Sequence, residues 1–210
     1  MNEPLGVSII VVNYNHERFL GAAIESALGQ THPLCEVIVV DDCSTDNSKT
    51  VIASYGDRIR SVILNTNRGQ VEAINSAWPF ARYSLLIFLD SDDLLQPFAA
   101  ATVAARWKAT TVKIQAPVAT IDQTGRDLDH VYPRYSRNLD TAGIRAELLR
   151  TGGAPNSPAS GNAYSRSLLE AVARDGGFDL NKPHDYWMDT ILPLNAPFFG
   201  EVISLSEPLA

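Results

Sequence analysis

LLIFLDSDDLL (residues 85–95) sets five apolar residues directly ahead of Asp90, Asp92 and Asp93. An apolar run this short and this continuous reads as a strand buried on both faces, as in a parallel sheet covered by helices. The same pattern recurs at VSIIVVN (7–13), EVIVVDD (36–42) and IRSVILN (59–65). Between these runs lie helix-like segments. ERFLGAAIESALGQ (17–30) places Phe19, Leu20, Ala23, Ile24, Ala27 and Leu28 on one stripe of helical period. DNSKTVIASYG (46–56) and GQVEAINSAWPFA (69–81) fill the next two gaps, and PFAAATVAARWKA (97–109) follows the fourth strand with Pro97 near its first turn. The βαβαβαβα order predicts an open, mostly parallel α/β sheet with right-handed crossovers, Rossmann-like in this half.

The second half is less regular. KIQAPVATI (113–121) reads as a strand and TGRDLDHVYP (124–133) as a polar turn leading out of it. TAGIRAELLRTGG (141–153) is a helix stopped by its glycines, and APNSPASGN (154–162) a loop running into a short strand at AYS. RSLLEAVARDGG (166–177) is a further helix, HDYWMDTILPL (184–194) another that breaks at Pro193, and EVISLSEPL (201–209) a last strand. One domain over residues 1–210 is expected, with 1–110 as a nucleotide-binding half and 111–210 as an acceptor-binding half.

Composition narrows the function. The chain has 210 residues, 45% hydrophobic and 20% charged, which suits a single globular core. A net charge of −7 with no basic stripe argues against nucleic acid as a partner. The two cysteines, Cys35 and Cys43, have neither metal nor redox spacing, so a reduced, cytoplasmic setting is the expectation. The N-terminus lacks the features of a signal peptide, and no stretch approaches a membrane span.

In such a sheet, ligands bind outside the carboxyl ends of the strands. Those ends here are Asn13-Tyr14-Asn15, Asp41-Asp42, Asn65-Thr66-Asn67 and Asp90-Ser91-Asp92. Any one of them could be only a turn or a helix cap. Four carboxylates converging on one rim repel each other and call for a cation. A hard divalent ion takes one or two carboxylates together with substrate phosphates. The residues alone therefore point to a phosphorylated ligand bridged to an acidic rim.

The segments 7–32 (VSIIVVNYNHERFLGAAIESALGQTH), 36–48 (EVIVVDDCSTDNS), 67–75 (NRGQVEAIN) and 85–93 (LLIFLDSDD) together resemble the family 2 glycosyltransferases of GT-A fold. GGFDLNKPHDYWMD (176–189) is similar to that family's acceptor-side motif. The resemblance implies a metal-dependent, inverting, non-processive hexosyltransferase. Its donor would be a nucleoside-diphosphate sugar, UDP-linked by preference, and its acceptor a carbohydrate or lipid-linked hydroxyl. It implies Mn²⁺ or Mg²⁺ at Asp92, the second acid of the Asp-x-Asp motif, with Asp90 supporting it and facing the ribose. Asp41, or less favoured Asp42, would recognise the base, and Tyr14 would lie against it. Arg68 and Gly69 would approach the nucleotide, with Asn15 and Ser91 completing the nucleotide-facing set. Asp185 would be the catalytic base, and Asp93 either a support for the site or a helix cap. A location in the cytoplasm, peripheral at the inner face of a membrane, goes with such acceptors.

This sequence departs from the family pattern at several places. His184 stands where the family has Glu, and Cys43 where Gly is commoner. Asp179 competes with Asp185 for the role of base. The pair Arg106-Trp107 lacks the Gln of the processive-synthase signature, Val103 occupying its place. The chain ends before the segment in which many members carry a His that completes the metal shell, which points to a truncated sequence or to a weakened metal site. Two rivals remain: a non-catalytic nucleotide-sugar module, and a haloacid-dehalogenase-type phosphatase with Asp90 as nucleophile. The second fits poorly, because three strands precede the motif and none of the lysines that follow it, Lys113 and Lys182 among them, is placed convincingly.

Overall fold

Alternate side chains along each central strand serve two separate cores, which is why those strands read as unbroken apolar runs. The computed structural model describes residues 5–133, 140–153, 155–174 and 188–210. Strands β1 (Val7–Asn13), β2 (Cys35–Asp41), β3 (Arg60–Ile63) and β4 (Leu85–Asp90) alternate with helices α1 (Glu17–Leu28), α2 (Ser48–Ser54), α3 (Gln70–Ala77) and α4 (Ala99–Arg106). After them come β5 (Thr111–Gln115), β6 (Val118–Ile121), β7 (Asp127–Tyr132), α5 (Thr141–Thr151), β8 (Asn162–Ser165), α6 (Arg166–Arg174), α7 (Met188–Phe199) and β9 (Glu201–Ser204).

A seven-stranded sheet has the order β3-β2-β1-β4-β8-β5-β9. The first four strands pair in parallel. Strand β8 inserts antiparallel between β4 and β5, so one sheet runs through both halves of the chain. On one face Ile9, Val11, Val39, Ile87 and Leu89 pack under Leu20 and Ile24 of α1 and Ala100 and Val103 of α4. On the other, Ile10, Ile38, Leu86 and Phe88 meet Ile74 of α3, Leu168 and Leu169 of α6 and Leu192 of α7. These side chains are at most 2% exposed, and burial of each except Ala100 contributes about 1.5–3 kcal/mol.

Several expectations are corrected. β3 is an edge strand whose residues are exposed or half-buried, not buried on both faces. Residues 113–121 are two strands in different sheets, separated by Ala116 and Pro117. The stretch read as a polar turn contains β7, paired with β6 in an antiparallel hairpin. Its side chains are almost all exposed, so no apolar alternation marks it as a strand. Helix α7 passes through Pro193 and Pro197 to Phe199. Each proline removes one helical hydrogen bond, and burial of Leu192 and Ala196 against the sheet holds the helix together across the gaps.

Candidate functional site

The parallel register sets Asn13 beside Asp41 and Val12 beside Asp90, so β1, β2 and β4 end level with one another. The loops leaving these ends form a polar rim, tied from segment to segment by side-chain hydrogen bonds. Rim residues from five separate stretches of chain meet there.

The first tie is at Asn13 and Asp41. The Asn13 amide donates to Asp41 Oδ1 at 2.8 Å and to Ser44 Oγ at 3.2 Å. Asp41 also accepts the Ser44 backbone N–H at 2.9 Å and its hydroxyl at 2.5 Å. With 0% of its surface exposed, Asp41 lies beneath the rim and pins the turn that carries Cys43 at φ +61°. Asn15, at φ +57°, accepts the Thr45 N–H at 2.8 Å and donates its own to Ser44 Oγ. Between them Tyr14 projects outward, 44% exposed.

Asp42 makes the second tie. Its two oxygens accept the backbone N–H groups of Arg68 at 2.9 Å and Gly69 at 2.7 Å. The loop after β3 is therefore hung from the end of β2. Gly69 caps α3 at φ 83° and ψ 166°, a region open only to glycine. A Cβ on Gly69 would meet nothing within 4 Å, so backbone conformation rather than crowding demands glycine here. The exposed Arg68 guanidinium pairs with Glu72 at 3.3 Å. One residue into α3, Gln70 donates to Asp90 Oδ1 at 2.8 Å, linking this loop to the Asp-Ser-Asp turn.

That turn is the third element. Ser91 is buried, and its N–H donates to the Val12 carbonyl at 3.1 Å. His16, at the start of α1, lies with Nδ1 3.1 Å from Ser91 Oγ and 3.9 Å from Asp92 Oδ1. The Asp92 side chain is half exposed. Asp93 turns inward and accepts the Ser160 hydroxyl at 2.6 Å. Burial pushes the Asp93 carboxyl above the usual range; the Ser160 hydrogen bond opposes the shift and neighbouring Asp92 adds to it. Helix capping is not the role of Asp93, because α4 starts at Ala99 with Phe98 as its cap.

Tyr14, Asn15, Asp42, Arg68, Gly69, Asp90, Ser91 and Asp92 thus all belong to one rim, with Asp41 directly beneath it. Asp185, with His184 and Asp179, lies outside the described residues. His16, Gln70 and Ser160 belong to the rim without having been singled out in the sequence. Gln70 stood within the quoted NRGQ stretch, whereas nothing local marks a serine 67 positions beyond Asp93. Among the described residues no three His, Cys, Asp or Glu side chains converge to form a closed metal cage. An accessible Asp92 beside a hydrogen-bonded Asp90 instead fits an ion that draws its remaining ligands from phosphates and water.

A family model described as Glycosyl transferase family 2 matches residues 8–173. The chain is 32% identical over 214 residues to an uncharacterized glycosyltransferase of Nostoc sp., alr2836, across 97% of this chain and 63% of that protein. S. aureus TarS 1–349 in complex with UDP-GlcNAc has a similar fold, with a TM-score of 0.72 and 21% identity over 97% of this chain and 56% of that one. The mannosyltransferase PcManGT of Pyrobaculum calidifontis, in complex with GDP-Man and Mn²⁺, gives a TM-score of 0.66 and 18% identity over 98% of this chain and 56% of that one. The chain spans a little over half the length of those two structures and less than two thirds of the Nostoc protein. These likenesses bear out the GT-A-like sheet, and the matched stretch takes in every described segment of the rim. By that match the chain belongs to glycosyl transferase family 2.

Proposed function

We propose that this chain is the donor-binding domain of a hexosyltransferase that moves a sugar from a UDP-sugar to a hydroxyl of a carbohydrate or lipid-linked acceptor, with inversion. One observation carries the reading. Two carboxylates, Asp42 and Asp90, are spent on ordering the rim's loops and turn, while among the described acids of the rim Asp92 alone is left exposed beside them. That is a prepared surface for an anionic ligand bridged by a cation. Family membership, a UDP-GlcNAc complex of one fold neighbour and an Mn²⁺ complex of another support the same assignment.

In this reading the Tyr14 ring stacks on the base, a contact worth about 1–3 kcal/mol. Base recognition passes from Asp41, which offers no accessible surface, to Asp42, whose oxygens keep spare lone pairs. Arg68 offsets diphosphate charge from across the rim, and Asn15 and Ser91 order the turns around the nucleotide. Asp90 faces the ribose, and Asp92 would hold Mn²⁺ or Mg²⁺. When bound, the ion offsets the charge that develops on the departing nucleoside diphosphate. Asp185 serves as general base, taking the acceptor hydroxyl's proton as that oxygen attacks the sugar carbon. Residues 1–210 act as one domain, a division supported by the β4-β8-β5 pairing that joins the two halves.

A thermal-shift panel of UDP-, dTDP- and GDP-sugars, with and without Mn²⁺, tests the reading. A ligand at a hundred times its Kd stabilises by about 2.7 kcal/mol, so a UDP-sugar with Mn²⁺ should raise the midpoint by several degrees. The Asp92→Asn variant should lose the Mn²⁺-dependent part of that rise. The proposal fails if no donor shifts the midpoint in either condition.

A further inference from the structure

The turn that carries Asp90 and Asp92 is held from an unexpected direction. Ser160, 1% exposed, lies in a single helical turn (Ala159–Gly161) just before β8, in the C-terminal half. Its hydroxyl donates to Asp93 Oδ2 at 2.6 Å, and its oxygen accepts the Asp90 backbone N–H at 3.1 Å. The Asp93 N–H in turn donates to the Asp90 carbonyl at 3.0 Å. Both sides of Asp90's backbone are therefore fixed by this pair. A serine hydroxyl has one proton to give. Asp93, by taking it, orients the lone pair that receives the Asp90 N–H.

The loop that presents Ser160 is itself anchored in the C-terminal half. Buried Lys113 donates to Asn156 at 2.6 Å, and Ser157 donates to the Ala116 carbonyl. The Asn162 amide donates to the carbonyls of Ser157 at 2.9 Å and Pro158 at 2.7 Å. A rigid chain of contacts thus runs from β5 through this loop to the Asp90–Asp92 turn.

We infer that Ser160 and Asp93 are positioning residues for the donor site, a relay through which the C-terminal half sets the geometry of the Asp90–Asp92 turn. Neither touches the donor in this scheme; they act through Asp90. The inference rests on the reading of the rim as a nucleoside-diphosphate site. Groups displaced by about 1 Å from productive geometry cost on the order of a hundredfold in rate, so the relay matters to the site even where the fold survives without it.

The test is a double-mutant cycle on the 210-residue chain, using Ser160→Ala, Asp93→Ala and the double variant, with Asp93→Asn beside them. Affinity for UDP, or for dTDP or GDP if wild type prefers one of these, is measured by calorimetry with and without Mn²⁺. Each alanine variant is expected to weaken Mn²⁺-dependent binding about tenfold, and the double variant no more than either alone, as members of one unit behave. Metal-free affinity should fall less, by no more than about threefold through the ribose contact at Asp90, since Tyr14 and Asp42 lie on other loops. Asp93→Asn, whose amide oxygen still accepts the Ser160 proton, should recover most of the loss seen in Asp93→Ala. If Ser160→Ala folds poorly, Asp93→Ala and Asp93→Asn break and restore the relay from its other end. Additive losses, equal losses with and without Mn²⁺, unchanged affinity, or no recovery in Asp93→Asn would overturn the relay. A wild-type chain that binds no nucleoside diphosphate overturns the underlying reading of the site, and the relay with it.

Discussion

His16 Nδ1 sits 3.1 Å from Ser91 Oγ, joining the start of α1 to the middle of the Asp-Ser-Asp turn. The same nitrogen lies 3.9 Å from Asp92. His16 is thus the side chain that steadies the exposed acid from the β1 side of the rim. Replacing it with alanine should lower Mn²⁺-dependent nucleotide affinity about threefold to tenfold. Stability should change by about 1 kcal/mol or less, because the imidazole is partly exposed and its hydrogen bond with Ser91 contributes only modestly. Calorimetry and urea unfolding, run side by side, check both halves of this expectation.

Asp42 is nearly buried and accepts two backbone N–H groups. In Asp42→Asn one of those donors faces an NH₂ group instead of an oxygen. A buried donor left without a partner costs about 1–3 kcal/mol. The urea midpoint should fall accordingly, and amide exchange at Arg68 and Gly69 should accelerate more than at the core of β1. Equal protection in both proteins would show that this carboxylate does not hold the loop.

Gly69→Ala isolates backbone strain, since an added methyl meets nothing within 4 Å. Forcing alanine into φ 83° and ψ 166° costs about 1–3 kcal/mol unless the loop shifts. The expected outcome is a lower thermal midpoint together with weaker nucleotide binding, because the loop hung from Asp42 must move. An unchanged midpoint with a crystal structure showing the same dihedral would contradict it.

Cys35 supplies a pH prediction. Burial pushes its thiol from 9.0 up to about 11. The unfolded chain therefore releases this proton before the folded chain does. The stability at stake is fully present below pH 9 and is lost as pH rises through about 11. Other groups titrate in the same window, so the readout is a comparison with Cys35→Ala. The wild type should lose stability more steeply between pH 9 and 11, and its thiol should react slowly with iodoacetamide at about pH 8, where little thiolate exists.

Strands β1, β2 and β4 were legible because a strand sandwiched between helices must be apolar on both faces, a demand written into consecutive residues. Edge strand β3 and hairpin strand β7 were not legible as what they are. Their order comes from backbone pairing to neighbours, and their side chains mostly face solvent. Pro193 does not end α7, because helix breaking is a local tendency, whereas burial of Leu192 and Ala196 is a long-range gain that outweighs it.

For the site, the sequence by itself determined which strand-end residues come together, since parallel strands of matched register end level and carry Asn13, Asp41 and Asp90 to one edge. Tertiary structure decided what each acid can do. Asp41 and Asp42 are adjacent in sequence, yet the first is sealed beneath the rim while the second holds the loop at Gly69. Asp92 and Asp93 are likewise neighbours, one exposed and one turned to Ser160. Burial periodicity is local and can be read along the chain. The partner a carboxylate finds depends on which distant segment packs against it, and only the folded chain brings that segment there.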